Sequence, residues 1–315
     1  MTQHVFLGSY TRRESQGIYR LENDQTTLVA QLENPTYLVE RDHVLYSIFG
    51  GENGCGIAVY DIVGKELKEI QKVYSDEEGG PCHISVDENH EIVVTANYGE
   101  HCFHVYRKLN GQFQEPTRVE IAQEGSHIHY VYYSKKTNIL YVTDLGTDRV
   151  YLYHLDDLDQ PFETLLFPDG SGIRHLEFDK DDSLMFVNAE YSGEIFVYEN
   201  LKQIGVVKTN PEHDFDEAMA AIRLSDDKEF LAVSGRSANE IIIYKVDDGY
   251  LSEHQRFSTK GDHPRDFNYL DDETILVANM KSDNCVFFTC NSKSKEFTYS
   301  HEIQQPEVSC VCVVK

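Results

Sequence analysis

Tryptophan is absent from this chain of 315 residues, basic residues are scarce, and long apolar runs are missing. Each absence removes a class of protein. Without Trp there is no Trp-Asp signature of WD40 blades. With 28 Lys and Arg against 54 Asp and Glu, the formal charge is −26. That leaves no basic footprint for a phosphate backbone or an anionic lipid surface, so neither nucleic acid nor a membrane is an expected partner. No run reaches the roughly 20 apolar residues of a membrane span. The start, MTQHVFLGSY, lacks the cationic and apolar segments of an export signal. The seven cysteines are odd in number and contain no CxxC pair; free thiols and a cytoplasmic location are expected. Helical periodicity is nearly absent too, which leaves strand as the organising element.

What is present is one two-strand phrase repeated seven times. It reads VFLGSYTRRESQGIYRLE from Val5, LYSIFGGENGCGIAVYDI from Leu45, EIVVTANYGEHCFHVYRK from Glu91 and NILYVTDLGTDRVYLYHL from Asn138. It recurs as SLMFVNAEYSGEIFVYEN from Ser183, EFLAVSGRSANEIIIYKV from Glu229 and TILVANMKSDNCVFFTCN from Thr274. Each copy is an apolar run, a short polar turn and a second alternating run that ends on an aromatic, the pattern of a β-hairpin. The closing aromatics are Tyr19, Tyr60, Tyr106, Tyr153, Tyr198, Tyr244 and Phe288, at steps of 41, 46, 47, 45, 46 and 44 residues. Equal steps along the whole chain predict an all-β, seven-bladed β-propeller forming a single domain over residues 1–315.

A further short strand phrase precedes six of the hairpins, at Asn34, Gly80, Ser126, Gly172, Met219 and His263, and its seventh copy, PEVSCVCVV, lies at the C-terminus. The first hairpin has no such strand before it, and the last strand has no hairpin after it. The ring is therefore predicted to close by pairing the C-terminal strand with the N-terminal hairpin, which removes open sheet edges. Segments such as LKEIQKVY, FQEPTRVE and GYLSEHQRF are expected to add an outer strand.

Residues at equivalent positions of successive blades become neighbours at the mouth of a propeller, so a site is sought in fragments about 45 residues apart. Starts of the innermost strands carry His83, His127, His129, Arg174, His175, His263 and Arg265. Ends of the next strands carry Asn97, Tyr98, Asp144, Glu190, Arg236 and Asn279. Three arginines in so acidic a chain suit phosphate or carboxylate, because the planar guanidinium donates two parallel hydrogen bonds. Histidine beside a carboxylate suits proton transfer near neutral pH. Together they point to a small anionic substrate with a carbonyl. His127 and His129 lie two apart on a strand without a further matched ligand set, so no metal is expected. No nucleophile-elbow signature is present. Asp144 is expected to face the channel, and Asp148 to cap the turn DLGTD.

These same fragments resemble the seven-bladed propeller lactonases, a family that includes 6-phosphogluconolactonase and the carboxy-muconate lactonising enzyme. The resemblance runs through S-H-I-H at Ser126, I-R-H-L-E-F at Ile173, N-A-E at Asn188, S-G-R at Ser234 and H-P-R-D-F at His263. It implies hydrolysis of a sugar lactone without a cofactor, with 6-phosphogluconolactone, a step of the pentose phosphate pathway, as the leading substrate. The alternatives are a muconate-type cycloisomerase and a non-catalytic propeller that binds a protein or sugar. The resemblance implies site residues at His129 (or His127), Arg174, Glu190 and Arg236, and catalytic roles are expected of His129, Arg174, Glu190 and His175. Substrate binding is expected of His127, Arg236, Arg265, Asp144, Asn97 and Asn279. Either His129 or His175 would take the proton of the attacking water, with Glu190 orienting the imidazole or sharing that role.

Overall fold

The computed structural model describes residues 4–76, 79–210 and 218–314. All its regular elements are strands, and they form seven antiparallel sheets. Blade 1 orders Val308–Val313, Val5–Ser9, Gly17–Glu22 and Gln25–Gln31 from inside outward, so the C-terminal strand does join the N-terminal hairpin. The backbone N–H of Val314 extends that pairing to the carbonyl of His4 at 2.9 Å. Blade 2 runs Leu38–Arg41, Val44–Gly51, Gly54–Val63, Glu66–Ser75, and blade 3 runs His83–Val86, Ile92–Asn97, Cys102–Leu109 with a divided outer strand. Blade 4 comprises Ile128–Ser134, Ile139–Asp144, Arg149–Tyr153 and Glu163–Leu166. Blade 5 comprises Ile173–Phe178, Leu184–Ala189, Glu194–Glu199 and Lys202–Lys208. Blade 6 comprises Met219–Leu224, Phe230–Gly235, Glu240–Asp247 and Tyr250–Ser258. Blade 7 comprises Pro264–Asp271, Thr274–Asn279, Asn284–Cys290 and Phe297–Gln304. These are the seven blades of the expected β-propeller. The chain divides into two compact units, residues 1–166 with 312–315 and residues 167–311, and each is described by itself below.

Local sequence explains the meanders. In blades 3 to 7 the residue before the third strand is His101, Asp148, Gly193, Asn239 or Asp283, with φ of 53°, 56°, 67°, 55° and 56°. This left-handed geometry is what Gly, Asn and Asp tolerate in a hairpin turn, and His101 is the exception in type. The closing aromatic marks a second regularity. In blades 1, 2, 5, 6 and 7 the outer strand carries one extra residue just where it passes Tyr19, Tyr60, Tyr198, Tyr244 or Phe288. Such a bulge increases local twist and bends the outer strand. Blade 3 differs because Pro116 cannot donate to the ladder, and its outer strand falls into Gln112–Phe113 and Thr117–Glu120.

Within each unit the core lies between neighbouring sheets. Val94, Phe103 and Val105 of blade 3 pack with Val131, Leu140 and Tyr153 of blade 4. Ile243 of blade 6 packs with Phe267, Val286 and Phe288 of blade 7. Fully burying one such side chain contributes ~1.5–3 kcal/mol, so interleaved apolar faces rather than loops hold the blades. Outer strands are mostly exposed, while Val308–Val313 is buried throughout. Among the described residues no helix is long and apolar enough to cross a membrane.

Candidate active site

A register defect, invisible in the apolar pattern, places the site residues. In blade 4 Ile128 faces Asp144 but Tyr130 faces Thr143, so His129 is an extra residue. In blade 5 Arg174 is extra between Ile173 and His175, and in blade 7 Arg265 is extra between Pro264 and Asp266. Blade 6 takes its extra residue within Ala220–Ala221. Blades 2 and 3 show no such shift in their inner pairs. A bulge leaves one residue outside the ladder and re-aims its side chain, and here the extra residue is His129, Arg174 or Arg265.

In the unit of blades 5 to 7, Glu190 is the hub. Its Oε2 lies 2.8 Å from Arg174 Nε and its Oε1 lies 2.7 Å from Arg236 Nη2. Arg174 is 3% exposed, so its charge is compensated inside the protein rather than by water. Arg174 Nη1 also donates to the Ala220 carbonyl at 2.6 Å and to His175 Nε2 at 3.0 Å. The bulge of blade 6 makes that carbonyl available. It accepts a second bond from Asn188 Nδ2 at 2.9 Å, while Asn188 Oδ1 accepts the His175 N–H at 2.9 Å. Arg236 is fixed on its other edge, where Nε donates to the Ala218 carbonyl at 2.7 Å. Burial pushes the Glu190 carboxyl up, but the charges of Arg174, Arg236 and Arg265 outweigh it and hold the group below the usual carboxylate range.

Beside this triad stand two further titratable features. His263 is pushed down to about 4 by burial and by the positive charges of Arg236, Lys281 and Arg265. Arg223 Nη2 pairs with Asp266 Oδ1 at 3.0 Å, and Asp266 Oδ2 accepts the Val311 N–H at 2.9 Å. Burial raises the Asp266 carboxyl, although Arg223 pulls the other way.

In the unit of blades 1 to 4 the corresponding positions are histidine and aromatic. His127 lies flat on Tyr98, with ring centroids 4.4 Å apart and planes 10° apart, and its Nδ1 meets the Tyr98 carbonyl at 3.1 Å. His129 meets the same ring edge-on at 6.0 Å. His83 is wedged between Tyr37 and Tyr130, at 4.2 and 4.0 Å, where it reads as packing.

Several expectations change on these facts. Asp144 is engaged by its own turn. Its wholly buried carboxylate accepts from the N–H groups of His127, Gly146 and Thr147 and from the Thr147 hydroxyl at 2.6 Å, because the turn that follows folds back onto it. Both oxygens of Glu190 meet guanidinium groups, so its described partners are arginines rather than an imidazole. His175 turns its Nε2 lone pair to Arg174, which leaves that nitrogen unsuited to receive a proton from water. Asn97 and Asn279 are buried, and each keeps one amide atom, Nδ2 and Oδ1 respectively, without a hydrogen-bond partner among the described residues. Sequence reasoning passed over Asn188 and the Arg223–Asp266 pair. The signal for Asn188 was an amide ending an apolar strand, in SLMFVNA. Arg223 and Asp266 carry no such mark, because a charge on an inner strand looks the same whether or not it has a partner 43 residues on.

Comparison with known proteins bears on the fold and the family. The family model described as lactonase, 7-bladed beta-propeller, matches residues 4–313. A 6-phosphogluconolactonase of Bacillus subtilis (strain 168) is 31% identical, with 95% of this chain and 94% of the relative aligned. A solved structure from Lactobacillus plantarum superposes with a TM-score of 0.89 at 32% identity over all of both chains. The periplasmic gluconolactonase of Pseudomonas aeruginosa shares the fold, with a TM-score of 0.87 at 24% identity over 99% of each chain. A propeller of seven repeats whose inner-strand bulges carry arginine and histidine, matched along nearly its full length by that model, belongs to the seven-bladed β-propeller lactonase family.

Proposed function

We propose that this protein hydrolyses the lactone of a phosphorylated aldonic acid, with 6-phosphogluconolactone as its substrate, in the cytoplasm and without a cofactor. The observation that carries the reading is the Arg174–Glu190–Arg236 triad. Two guanidinium groups are fixed by one carboxylate and by the backbone carbonyls of Ala218 and Ala220. Donors held in place before reaction need no reorganisation when charge develops, and one such donor is worth ~3–4 kcal/mol of barrier. Arg174 is assigned to the carbonyl oxygen of the lactone. Water forms the new C–O bond, the ring C–O bond breaks, and the proton released by water ends on the departing alkoxide. His129, at the bulge of its own inner strand, is assigned as the group that passes this proton. Arg236 and Arg265 are assigned to the phosphate, and Asn97 and Asn279, with their unspent amide atoms, to the sugar hydroxyls. The 6-phosphogluconolactonase name of the relative at 31% identity supports the phosphorylated substrate.

The test is a stopped-flow pH assay of freshly prepared 6-phosphogluconolactone, corrected for spontaneous opening, beside unphosphorylated gluconolactone. Acceleration of the phosphorylated lactone that collapses in Arg174→Ala and loses its preference in Arg265→Ala is the expected result. Opening no faster than buffer would overturn the substrate assignment, and isomerisation of a muconate lactone instead would overturn the reaction.

A further inference from the structure

A groove of about 390 Å³ opens between blades 1 and 2, within the unit that does not contain the arginine triad. Its volume lies in the range of ~300–1,000 Å³ typical of small-molecule sites. Its lining mixes a pre-set aromatic platform with exposed side-chain amides. Tyr74 is 54% exposed, yet its ring stands edge-on against buried Phe49, with centroids 5.2 Å apart and planes at 81°. An exposed ring held this way offers a flat apolar face at little entropic cost. The same groove is lined by the side-chain amides of Gln16 and Gln31, 3.5 Å from one another, and by Asn53, which donates to Glu33 at 3.2 Å.

The turn GGENG keeps room for these groups. A Cβ on Gly51 would lie 2.4 Å from the Glu33 carboxylate, and one on Gly54, where φ is +106°, would lie 3.1 Å from the Tyr74 ring. Side chains are thus missing at the two places where the groove's polar anchor and its platform approach the turn. The charges decide the ligand class. Glu33 repels an anion, and Lys72 repels a cation although Glu69 at 3.2 Å already partly balances it. A neutral ring with an apolar face and vicinal hydroxyls fits what remains, because amides and a carboxylate both accept from hydroxyl groups and the amides donate in return.

We propose that this groove is a second binding site, separate from the arginine triad, for an uncharged pyranoside. The proposal does not rest on the lactonase reading. Saturation-transfer NMR and titration calorimetry with methyl β-D-glucopyranoside and maltose, on the full chain, provide the test, with thermal unfolding as the control for folding. Millimolar binding that falls by ~10-fold or more in Tyr74→Ala, and also falls in Gln31→Ala, while unfolding temperatures stay unchanged, is the expected result. The same glycoside bound equally well by Tyr74→Ala would overturn it, as would no transfer to either glycoside. Gluconate bound at least as tightly as the glycosides, and lost in Tyr74→Ala, would overturn the neutral assignment.

Discussion

Two clusters gather where inner strands start and the strands next to them end, and their polar groups meet different kinds of partner. Arg174, Glu190 and Arg236 form a closed set of charges, with both carboxylate oxygens and the surrounding backbone carbonyls engaged. His127 and His129 instead gather on Tyr98 through ring contacts, with the His127 ring also meeting the Tyr98 carbonyl. The first arrangement fixes charge across the neutral range, since Glu190 is held below the ordinary carboxylate range. The second uses imidazole, the side chain whose ordinary titration falls near neutrality. A hydrolase needs both a permanent electrophilic anchor and a group that can accept and release a proton. Under the proposed reaction, stabilisation of charge would fall to one cluster and proton transfer to the other.

The sharpest way to break that division is to remove one member from each cluster. Arg174→Ala is expected to slow lactone opening by ~10²–10³-fold in stopped-flow assays, the loss typical of a preorganised oxyanion donor. His127→Ala should cost only about tenfold, because a positioned but replaceable contact is lost. Equal losses in the two variants would end the distinction. Glu190→Gln comes next. It leaves two buried guanidinium groups sharing a neutral amide, so unfolding should become easier by about 3 kcal/mol at neutral pH, read by denaturant titration. The pH sign follows from the depressed carboxyl. Its stabilisation is present above the unfolded-state value and fades as pH falls through the lowered folded-state value, so the gap between wild type and variant should close only in acid.

How much of this was legible in the residues follows from what each pattern encodes. The blades were legible because the closing aromatics recur at near-equal steps and because a strand phrase is missing at one end and surplus at the other. Arg174, Glu190 and Arg236 were legible as a set because equivalent positions of successive blades converge. The bulges were not. S-H-I-H-Y-V-Y-Y reads as continuous strand, and an extra residue appears only when the facing strand is laid beside it. The bonding of Asp144 was hidden for a related reason. An acid at a strand end reads alike whether it faces a channel or folds into its own turn, and here the short turn GT lets Thr147 reach back to it.

Asp266 offers a smaller test on the side of fixed charge. Asp266→Ala removes the acceptor of the Val311 N–H and the partner of Arg223, each left without its bond. About 2 kcal/mol of stability should be lost, measured by thermal or denaturant unfolding. Because Asp266 touches neither Arg174 nor Glu190 in any bond described above, turnover per folded molecule should fall less than in Glu190→Gln. A turnover defect as deep as that of Arg174→Ala would place Asp266 within the reacting site and enlarge the charged cluster.

The smallest effect concerns His263, which belongs by type to the imidazole group and by position to the charged one. Burial and the positive charges of Arg236, Lys281 and Arg265 push it down to about 4, so it is neutral at physiological pH. In the unfolded chain the same imidazole titrates near its ordinary value of 6.5. Between those values the unfolded state binds a proton that the folded state refuses, so this residue makes stability rise with pH across that window and lends nothing further above it. Its ring signals in an NMR titration should move near pH 4, and those of a residue serving as the base should move closer to neutrality. His263→Asn should then leave the pH dependence of turnover between 6 and 8 unchanged, in contrast to His129→Gln, which should flatten its acid limb. A shift of that limb in His263→Asn would show that proton transfer reaches into the charged cluster, and the division of labour between the two would fail.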